Sequence, residues 1–317
     1  MRWSSFLSLH VPFVVMEHKS AFISIVGRPN TGKSTLINAL VGEKVAITSH
    51  HPNTTRNAIR GILSEKDLQL IFVDTPGLHK AKTPLGTALN RVVDETISDV
   101  DIVIQCIPAV EKVGDGDLYI AKQLANTNAI RRICVLTMID MISKTELPKK
   151  LMALSELGKK AGIEWDEIIP VSAFTDTQIQ LLIDLLVKHA NNGPAFYPKE
   201  MKSDQELEKT ISELIRESAI RDLFEEVPHS VAVVIDEMSK REDKEIFDVH
   251  ASIIVERDSQ KAILIGKGGE NLKKIGTNAR NEIEKKVGMK VFLKLHVKVI
   301  SNWQKDPKSL QKLGLVE

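Results

Sequence analysis

Cysteine and aromatic residues are scarce in this sequence. Its 317 residues include two cysteines, and Phe, Trp and Tyr together make up 4% of the chain. Cys106 and Cys134 lie far apart, each inside an apolar run, which predicts buried, reduced thiols and argues against a disulfide-stabilised secreted scaffold. We therefore expect a cytoplasmic protein with a hydrophobic core, divided into two domains at this length.

Long apolar runs, internal repeats and low-complexity tracts are also lacking. No run reaches the ~18 apolar residues that a membrane-spanning helix needs. The opening MRWSSFLSLHVPFVVMEHKS resembles a signal sequence, but no clear small-residue cleavage site follows it. We expect residues 1–19 to be an extension that is either disordered or the result of a start assigned upstream of Met16.

A net charge is nearly absent from the chain as a whole, which has 43 Lys and Arg against 42 Asp and Glu. From Gln260 to Glu317, however, thirteen basic residues face five acidic ones, so this segment carries +8 and the remainder about −7. Such an asymmetry is typical of a segment that binds a polyanion. The sequence therefore predicts a polyanion-binding C-terminal domain.

Strand-like and helical segments alternate over residues 20–190, which predicts an α/β domain with a mostly parallel, doubly wound sheet. In RGILSEKDLQLIFVD the residues SEKD, between two strand-like runs, can close only a tight hairpin. One antiparallel strand is therefore expected. NNGPAFYP interrupts the alternation and predicts a linker over 191–203. Residues 204–317 then predict a smaller α+β domain with the order helix, strand, strand, short helix, glycine loop, longer helix, strand.

GRPNTGKST, between the first predicted strand and helix, has the spacing of a phosphate-binding P-loop. Glycines let backbone N–H groups surround a phosphate, Lys33 supplies charge at the β and γ phosphates, and the Ser34 hydroxyl points at Mg²⁺. The predicted fold of this domain is therefore that of a P-loop NTPase. The predicted phosphate-binding residues are Gly27, Arg28, Pro29, Asn30, Thr31, Gly32, Lys33, Ser34 and Thr35.

DTPG ends the third predicted strand with a carboxylate and a glycine. After a P-loop, Asp74 is a candidate ligand of Mg²⁺ and Gly77 a candidate contact of the γ-phosphate. By itself, DTPG fits equally well a turn capped by its aspartate. These motifs leave ATP and GTP, and kinase and hydrolase, as alternatives.

GRPNTGKSTL, NTTR, DTPGLH and VSA occur in this order, and together they resemble the Era family of ribosome-assembly GTPases. The resemblance implies a GTPase that binds GTP and GDP, with Thr55, flanked by Thr54 and Arg56, closing over Mg²⁺. Leu78 stands where many small GTPases have a water-orienting glutamine, so slow turnover is expected. The resemblance also implies a K⁺ ion beside the phosphates, held by Asn30.

The guanine-reading motif Asn-Lys-x-Asp is altered here to Thr137, Met138, Ile139 and Asp140. The Asp140 carboxylate can accept from the guanine N1–H and 2-amino groups, a contact that adenine cannot make. Met138 cannot supply the charge of lysine, although its flexible side chain can lie along the base, so weakened affinity is expected. Ser172 and Ala173 of VSA complete the predicted guanine site.

ILIGKGGENLKKIG contains a Gly-x-x-Gly loop, Gly266 to Gly269, between two predicted helices. An isolated loop of this kind is more often a plain turn, but the element order here is that of a type II KH domain, which binds single-stranded RNA. The predicted RNA-binding residues are Gly266, Lys267, Gly268, Gly269, Lys273, Lys274 and Arg280. Phe292 and Trp303 are candidate stacking platforms, and Trp303 could equally pack in the core.

The resemblance also covers this region, through EVPHSVAV, ERDSQKAILIGKGG and VFLKLHVKV. It implies a monomer that binds the 3′ end of 16S ribosomal RNA, acts in 30S subunit assembly and attaches peripherally to the membrane. Two other functions remain open from the residues. One is an RNA-binding scaffold that senses nucleotide with negligible hydrolysis, and the other is a P-loop ATPase or kinase, which Asp140 disfavours.

Overall fold

The computed structural model describes most of the chain, and these residues form two units that follow each other in sequence. The described residues are 18–48, 59–77, 86, 87, 89–91, 93, 96, 100–127, 129–221, 223, 227–241 and 245–313. Each unit is built on a sheet of its own. None of the helices in this part of the chain has the length and apolar character that crossing a bilayer requires.

Seven strands among the described residues form the first sheet, in the order β2-β3-β1-β4-β5-β6 with β7 beside β1. They are β1 (Lys19–Val26), β2 (Ile59–Glu65), β3 (Leu68–Asp74), β4 (Ile102–Pro108), β5 (Arg131–Thr137), β6 (Glu167–Pro170) and β7 (Asn191–Asn192). β1, β3, β4, β5 and β6 run parallel, as predicted. β2 runs antiparallel to β3, which confirms the hairpin.

Helices cover both faces of this sheet. Four of them are α1 (Lys33–Val41), α2 (Asp115–Ala125), α3 (Leu147–Ala161) and α4 (Ile179–His189). α1 and α4 pack on one face through residues such as Leu36 and Leu182, and α2 and α3 pack on the other through Ile120 and Leu154. Burial of both faces explains why the strands are nearly continuous apolar runs in the sequence.

Three of the predicted site segments begin at one edge of this sheet. β1 ends at Val26, β3 at Asp74 and β5 at Thr137; β3 is the parallel neighbour of β1, and β5 is separated from β1 by β4 alone. In open α/β sheets, ligands bind in the crevice beyond the carboxyl ends of the strands. The topology therefore brings the P-loop, DTPG and the Thr137 to Asp140 segment to the same crevice.

Three strands among the described residues form the second sheet, in the order β10-β9-β8. They are β8 (Ala232–Lys240), β9 (Ile246–Val255) and β10 (Lys290–Val299), and the helices are α5 (Leu207–Ile220), α6 (Asp258–Ile265), α7 (Glu270–Val287) and α8 (Pro307–Lys312). α5, α6 and α7 pack on one face of the sheet around Ile215, Ile253 and Ile283. The order from α5 to β10 is the predicted one, whereas α8 is an addition that the sequence did not lead us to expect.

Trp303 lies in the core, so its interpretation as an RNA-stacking platform is wrong. The ring is fully buried, and its indole N–H donates to the Ser230 carbonyl at 3.1 Å. It packs with Leu310 of α8 and with Leu89 of the first unit. The alternative, that Trp303 packs against the core, is the one observed.

The segment predicted as a linker is bound to the first unit. The Gln69 carboxamide oxygen of β3 accepts from the backbone N–H groups of Phe196 and Tyr197, at 2.7 and 3.0 Å. Its amide donates in turn to the Tyr197 carbonyl at 2.9 Å. Further along, Arg60 of β2 forms an ion pair with Asp204 at 2.8 Å. The chain therefore leaves the first unit gradually, along its β2-β3 edge.

Candidate functional site

The residues between β1 and α1 form a loop around a buried lysine. The Lys33 ammonium donates to the carbonyl oxygens of Gly27 at 3.1 Å and of Arg28 at 2.8 Å. Burial lowers the pKa of Lys33 from its ordinary value, although the nearby Asp74 carboxylate favours the charged form. The first turn of α1 contains no acidic residue, so no carboxylate there offsets the positive end of its dipole. This combination of N–H groups, dipole and ammonium suits a polyphosphate.

The nine predicted phosphate-binding residues occupy this loop and the first turn of α1, but Arg28 is directed elsewhere. Its guanidinium lies 2.8 Å from the Asp117 carboxylate and 2.7 Å from Glu111, at the N-terminal end of α2. The Thr31 hydroxyl donates to the Arg28 carbonyl at 3.0 Å and supports the loop from inside. The backbone of Arg28 therefore faces the loop, whereas its side chain does not. Phosphate binding by Arg28 stays a prediction.

Ser34 and Asp74 meet at the crevice. The Ser34 hydroxyl donates to the Asp74 carboxylate at 2.8 Å, and Asp74 is fully buried at the end of β3. Thr75 donates to the Ile25 carbonyl at 2.7 Å and so fixes the residues after β3 against β1. Two segments that are forty residues apart in the chain are therefore held together here.

Gly77 lies directly against the P-loop. A Cβ at this position would stand 2.7 Å from the backbone nitrogen of Pro29, so any side chain would displace the loop. The absence of a side chain thus allows the backbone after β3 to reach the phosphate loop. The other predicted residues of this region lie outside the described residues, and they are Thr54, Thr55, Arg56 and Leu78.

The donor set at this point fits Mg²⁺. A hydroxyl and a carboxylate are hard oxygen ligands, and Mg²⁺ is usually held by one or two carboxylates together with waters and phosphate oxygens. Within the described residues, no group of three or more His, Cys, Asp or Glu side chains could hold a metal ion. Ser34 and Asp74 therefore suit an ion that is shared with a bound phosphate.

A cavity of about 370 Å³ opens beside the P-loop, at the ends of β5 and β6. Four of the five predicted guanine-binding residues, Thr137, Met138, Asp140 and Ala173, line it. Ser172 is buried next to them, and its hydroxyl accepts from the Thr175 N–H at 3.2 Å. The full lining is Gly32, Thr35, Leu36, Thr137, Met138, Asp140, Met141, Val171, Ala173 and Phe174.

Thr137 joins the base cavity to the phosphate loop. Its buried hydroxyl donates to the Thr31 carbonyl of the P-loop at 2.8 Å. Met138, the next residue, adopts a left-handed backbone conformation with φ of 59°. Its methyl carbon lies 3.4 Å from the position that a Cβ on Gly32 would take. The end of β5 is therefore packed directly on the loop that precedes α1.

Met141 and Phe174 line the same cavity, although the sequence did not lead us to them. Both are exposed, Met141 to 65% and Phe174 to 88%. The signal available in the sequence was their position, with Met141 directly after Asp140 and Phe174 directly after VSA. Their location beside Asp140 makes them candidate contacts of a base.

The glycine loop of the second unit connects α6 to α7 through left-handed backbone. Gly266, Gly268 and Gly269 have φ of 72°, 62° and 83°, values that favour glycine. Asn271 donates to the Ile263 carbonyl at 2.9 Å and holds the two helices together across the loop. The local conformation therefore requires the predicted Gly-x-x-Gly pattern.

The four predicted RNA-binding cations lie on or after this loop, and none of them is buried. Lys267 is within the loop, and Lys273 and Lys274 follow in the first two turns of α7. Arg280 is seven residues after Lys273, so the two share one face of the helix. The arrangement is a basic strip that begins at N–H groups of the loop, which suits a phosphate backbone.

Phe292 is not beside the glycine loop. Its neighbours Val291 and Leu293 on β10 contribute to the core under α7, so Phe292 lies on the opposite face of the sheet. There the Arg241 guanidinium carbon is 5.4 Å from its ring centroid, and 47% of the residue is exposed. The structure thus separates this aromatic residue from the predicted RNA-binding residues.

Comparison with known proteins gives consistent results for both units. Residues 22–138 match the family of 50S ribosome-binding GTPases, and residues 226–304 match the KH domain family. GTPase Era of Streptomyces coelicolor is 49% identical over 301 residues, covering 94% of this chain and 95% of that protein. GTPase Era of Mycobacterium tuberculosis H37Rv is 52% identical over 301 residues, covering 94% and 99%.

Two solved structures resemble this fold over nearly the full chain. A crystal structure of Era in complex with MgGDPNP and nucleotides 1506–1542 of 16S ribosomal RNA has a TM-score of 0.89 and 34% identity, covering 95% of this chain and 100% of that chain. A crystal structure of an Aquifex aeolicus Era variant bound to GDP·AlF4⁻ has a TM-score of 0.87 and 33% identity, covering 94% and 100%. Both units and their arrangement are thus similar to those of these proteins.

Proposed function

This chain belongs to the Era family of GTPases, and on this premise we propose that it binds the 3′ end of 16S ribosomal RNA during assembly of the 30S subunit. As a GTPase, it hydrolyses GTP to GDP and phosphate. One observation carries the RNA part of the proposal: its fold is similar throughout to an Era that holds MgGDPNP and 16S ribosomal RNA at once. We further propose the divisions 20–190 for the GTP-binding domain, 191–203 for the linker and 204–317 for the KH domain.

At the phosphate end of the site, the P-loop residues bind the triphosphate. The Lys33 ammonium exchanges the carbonyl oxygens of Gly27 and Arg28 for β- and γ-phosphate oxygens, which offsets the charge that accumulates in hydrolysis. Backbone N–H groups of the loop and of the α1 N-terminus surround the remaining phosphate oxygens. The N–H of Gly77 reaches the γ-phosphate because its backbone already touches the loop.

Ser34 and Asp74 would hold Mg²⁺, with Thr55 as the further ligand that the family resemblance implies. The support for the first two is their separation of 2.8 Å and the burial of Asp74. Mg²⁺, when bound, neutralises phosphate charge. The protein holds the Ser34 hydroxyl against the Asp74 carboxylate, at the end of β3, before nucleotide binds.

At the base end, Asp140 accepts from the N1–H and 2-amino groups of guanine and so excludes adenine. The Ala173 N–H donates to guanine O6, and Ser172 holds the turn that presents it. Thr137 has a structural role, since its hydroxyl already donates to the Thr31 carbonyl of the P-loop. This chemistry supports GTP over ATP, and competition between the two nucleotides tests it.

We propose that Asn30 holds a K⁺ ion beside the phosphates. Asn30 lies in the P-loop, and its backbone has a left-handed conformation with φ of 63°. A monovalent cation there would neutralise charge that develops between the β and γ phosphates. The test is GTP turnover in K⁺ and Na⁺ buffers of equal ionic strength. Equal rates would remove K⁺ from the proposal.

In the KH domain, N–H groups of the Gly266 to Gly269 loop and the cations of α7 bind the RNA backbone. The support is the glycine conformation together with the access of all four predicted cations to solvent. Because these contacts are made to phosphates, affinity falls with salt by a slope of about 0.7 per phosphate contacted. Because the Gly-x-x-Gly loop of a KH domain clamps single-stranded RNA, the RNA would be single-stranded where it enters the loop.

The experiment that tests the proposal uses the whole chain and an RNA of the sequence of nucleotides 1506–1542. We expect binding at least about tenfold tighter than to a shuffled RNA of the same composition, since unpaired bases are read as well as phosphates. GTP turnover is measured with each RNA. Equal affinity for both RNAs would contradict the assignment of the 3′ end.

The cellular setting is also part of the proposal: a monomer in the cytoplasm that attaches peripherally to the membrane. Mass measurement by light scattering tests the monomer, and co-sedimentation with vesicles of anionic phospholipid tests attachment. A dimer, or absence of vesicle binding at low salt, would contradict these assignments. The alternative of a scaffold with negligible hydrolysis is not favoured, because the relatives are GTPases.

A further inference from the structure

Phe174 is far more exposed than a phenylalanine in a folded domain ordinarily is. At 88%, its exposure is the largest among the described large apolar side chains. It lies on the turn after β6, where Ser172 and Thr177 bond to each other through their backbones, so the turn holds the ring outward. Met141, which is 65% exposed, lines the same cavity, so the two side chains form an exposed apolar surface of the kind that marks a ligand-binding site.

The cavity behind Phe174 has an apolar lining with one charged group. Of the described residues that line it, Asp140 alone carries a charge, and the Thr137 hydroxyl is directed to the P-loop. The remaining large side chains are Leu36, Met138, Met141 and Phe174. Such a cavity matches a flat heteroaromatic ring that has one polar edge for the carboxylate and two apolar faces.

Met138 and Phe174 belong to different walls of this cavity. Met138 lies on the P-loop side, with its methyl carbon beside Gly32. Phe174 lies at the mouth, as its exposure indicates. A ring that enters between them would contact the polarisable thioether on one face and the phenyl ring on the other. Thioether–aromatic contacts and offset ring stacking are both favourable.

We propose that Phe174 and Met138 clamp the purine base of the bound nucleotide, and that this apolar clamp takes the place of the cation missing from the altered guanine motif. The inference rests on the proposed function, since it takes the base to lie in this cavity. It assigns two separate tasks: the clamp holds any purine by its faces, and Asp140 selects guanine by its edge.

Because the clamp and Asp140 contact different parts of the base, loss of each should weaken a different set of ligands. Removing Phe174 weakens GDP, GTP and inosine diphosphate by the same factor, because stacking does not depend on the 2-amino group. Removing the Asp140 carboxylate instead weakens GDP and leaves inosine diphosphate less affected, because inosine has no 2-amino group to lose. Tripolyphosphate, which has no base, is unaffected by either change.

The test is calorimetric binding of these four ligands to the full chain and to Phe174→Ala, with Phe292→Ala as the control for loss of an exposed ring elsewhere. We expect Phe174→Ala to weaken the three nucleotides about 10-fold, the usual effect of losing one stacked aromatic. Phe174→Tyr retains a ring and should stay within about twofold of the unaltered chain. The melting temperature should not change, since the ring is exposed.

A Phe174→Trp variant gives an independent readout. Stacking of guanine on the introduced indole should quench its fluorescence on addition of GDP, and tripolyphosphate should not. The clamp is overturned if Phe174→Ala binds GDP as tightly as the unaltered chain does, or if GDP leaves the new indole unquenched. Failure of the unaltered chain to bind GTP at all would instead contradict the proposed function, so the two failures are distinguishable.

Discussion

The Lys44 ammonium lies 2.6 Å from the Glu217 carboxylate, and this ion pair joins the two units of the chain. Lys44 follows α1 in the first unit, and Glu217 is a buried residue of α5 in the second. The other oxygen of Glu217 accepts from the backbone N–H of Thr48 at 3.1 Å. One carboxylate of α5 therefore fixes the chain directly before residues 49–58, which contain the predicted Mg²⁺ ligand Thr55.

Glu217→Gln should reduce the coupling between nucleotide and RNA. The amide keeps the shape of the side chain, and its oxygen can still accept from the Thr48 N–H, but it loses the charge that holds Lys44. The connection between α5 and the start of the Thr55 segment should therefore weaken. We expect the unaltered chain to bind RNA with a difference of at least about fivefold between its GTP-analogue and GDP forms, the lower end of typical coupling. In the variant this ratio should move toward one.

Lys298→Ala is the matched control for Glu217→Gln. It breaks a surface ion pair, Lys298 with Asp236 at 3.3 Å, that lies within the KH domain alone. RNA binding by fluorescence anisotropy in both nucleotide states measures the ratio for all three proteins. An unchanged ratio in Glu217→Gln would show that coupling takes another route.

Lys33→Ala should abolish nucleotide binding and leave the fold intact. The buried ammonium is directed into the P-loop, whereas the Arg28 guanidinium is paired with Asp117 and Glu111. Loss of its charge-assisted bonds to two phosphates should weaken GTP binding by about 100-fold or more. Lys66→Ala, in the exposed turn between β2 and β3, is the control. Calorimetric titration of GTP provides the measurement. Retained GTP affinity in Lys33→Ala would refute the phosphate site.

Thr137→Val should loosen the base cavity from the phosphate loop. The valine has the same shape but cannot donate to the Thr31 carbonyl, so the unfolding free energy should fall by about 0.5–1.5 kcal/mol. Thr127→Val removes a similar bond, 2.8 Å to the Leu124 carbonyl, at the end of α2. Urea unfolding should show a comparable loss in both variants. Only Thr137→Val should also weaken GDP, and equal GDP affinities would disprove the link.

Lys267→Ala should weaken RNA binding and reduce its dependence on salt. Removing one lysine–phosphate ion pair lowers the slope of log affinity against log salt by about 0.7. Lys308→Ala, an exposed lysine of α8, controls for removal of charge elsewhere in the same domain. Anisotropy titrations at several salt concentrations give both slopes. If the two variants behave alike, the RNA is attracted by overall charge and not by the glycine loop.

The two thiols should be unreactive in the folded protein. Burial raises the pKa of Cys106 to about 12, and that of Cys134 well above its ordinary value. Iodoacetamide at pH 8 should therefore modify neither thiol until urea is added, which mass spectrometry can detect. Because the unfolded thiol loses its proton near its ordinary pKa of 9.0 while folded Cys106 keeps it, stability should fall as pH rises from 9.0 toward 12. Rapid alkylation of the native protein would contradict this burial.

Local patterns were sufficient to predict much of this fold. The mostly parallel first sheet with its one hairpin and the element order of the second unit both agree with the prediction. Each follows from local segments bounded by clear turns, which specify their own conformation. The P-loop was recognisable for the same reason, since its spacing of glycines, lysine and serine is set by chemistry within nine residues.

Contacts between distant residues could not be read from the sequence. The interpretation of Trp303 as a stacking platform was wrong because its burial depends on Leu89 and Ser230, which are far from it in the sequence. The Lys44 and Glu217 ion pair and the Phe174 position likewise depend on how the units and turns pack. A short helix such as α8 carries too few residues for a periodic signal, and its local indications are the Asp306 cap and Pro307 at its first position.

The hydrogen bonds of Gln69 to Phe196 and Tyr197 decide where the chain can be cut into separately expressed pieces. A fragment that stops at Ala190 would lose these three bonds, and the Gln69 carboxamide would keep only its bond to Ser64, so such a fragment should be less stable than one that retains the segment. A fragment that continues through Asp204 keeps them and the Arg60 ion pair as well. Truncated proteins prepared for nucleotide titration should therefore carry these extra residues, and a tag or protease site belongs beyond them.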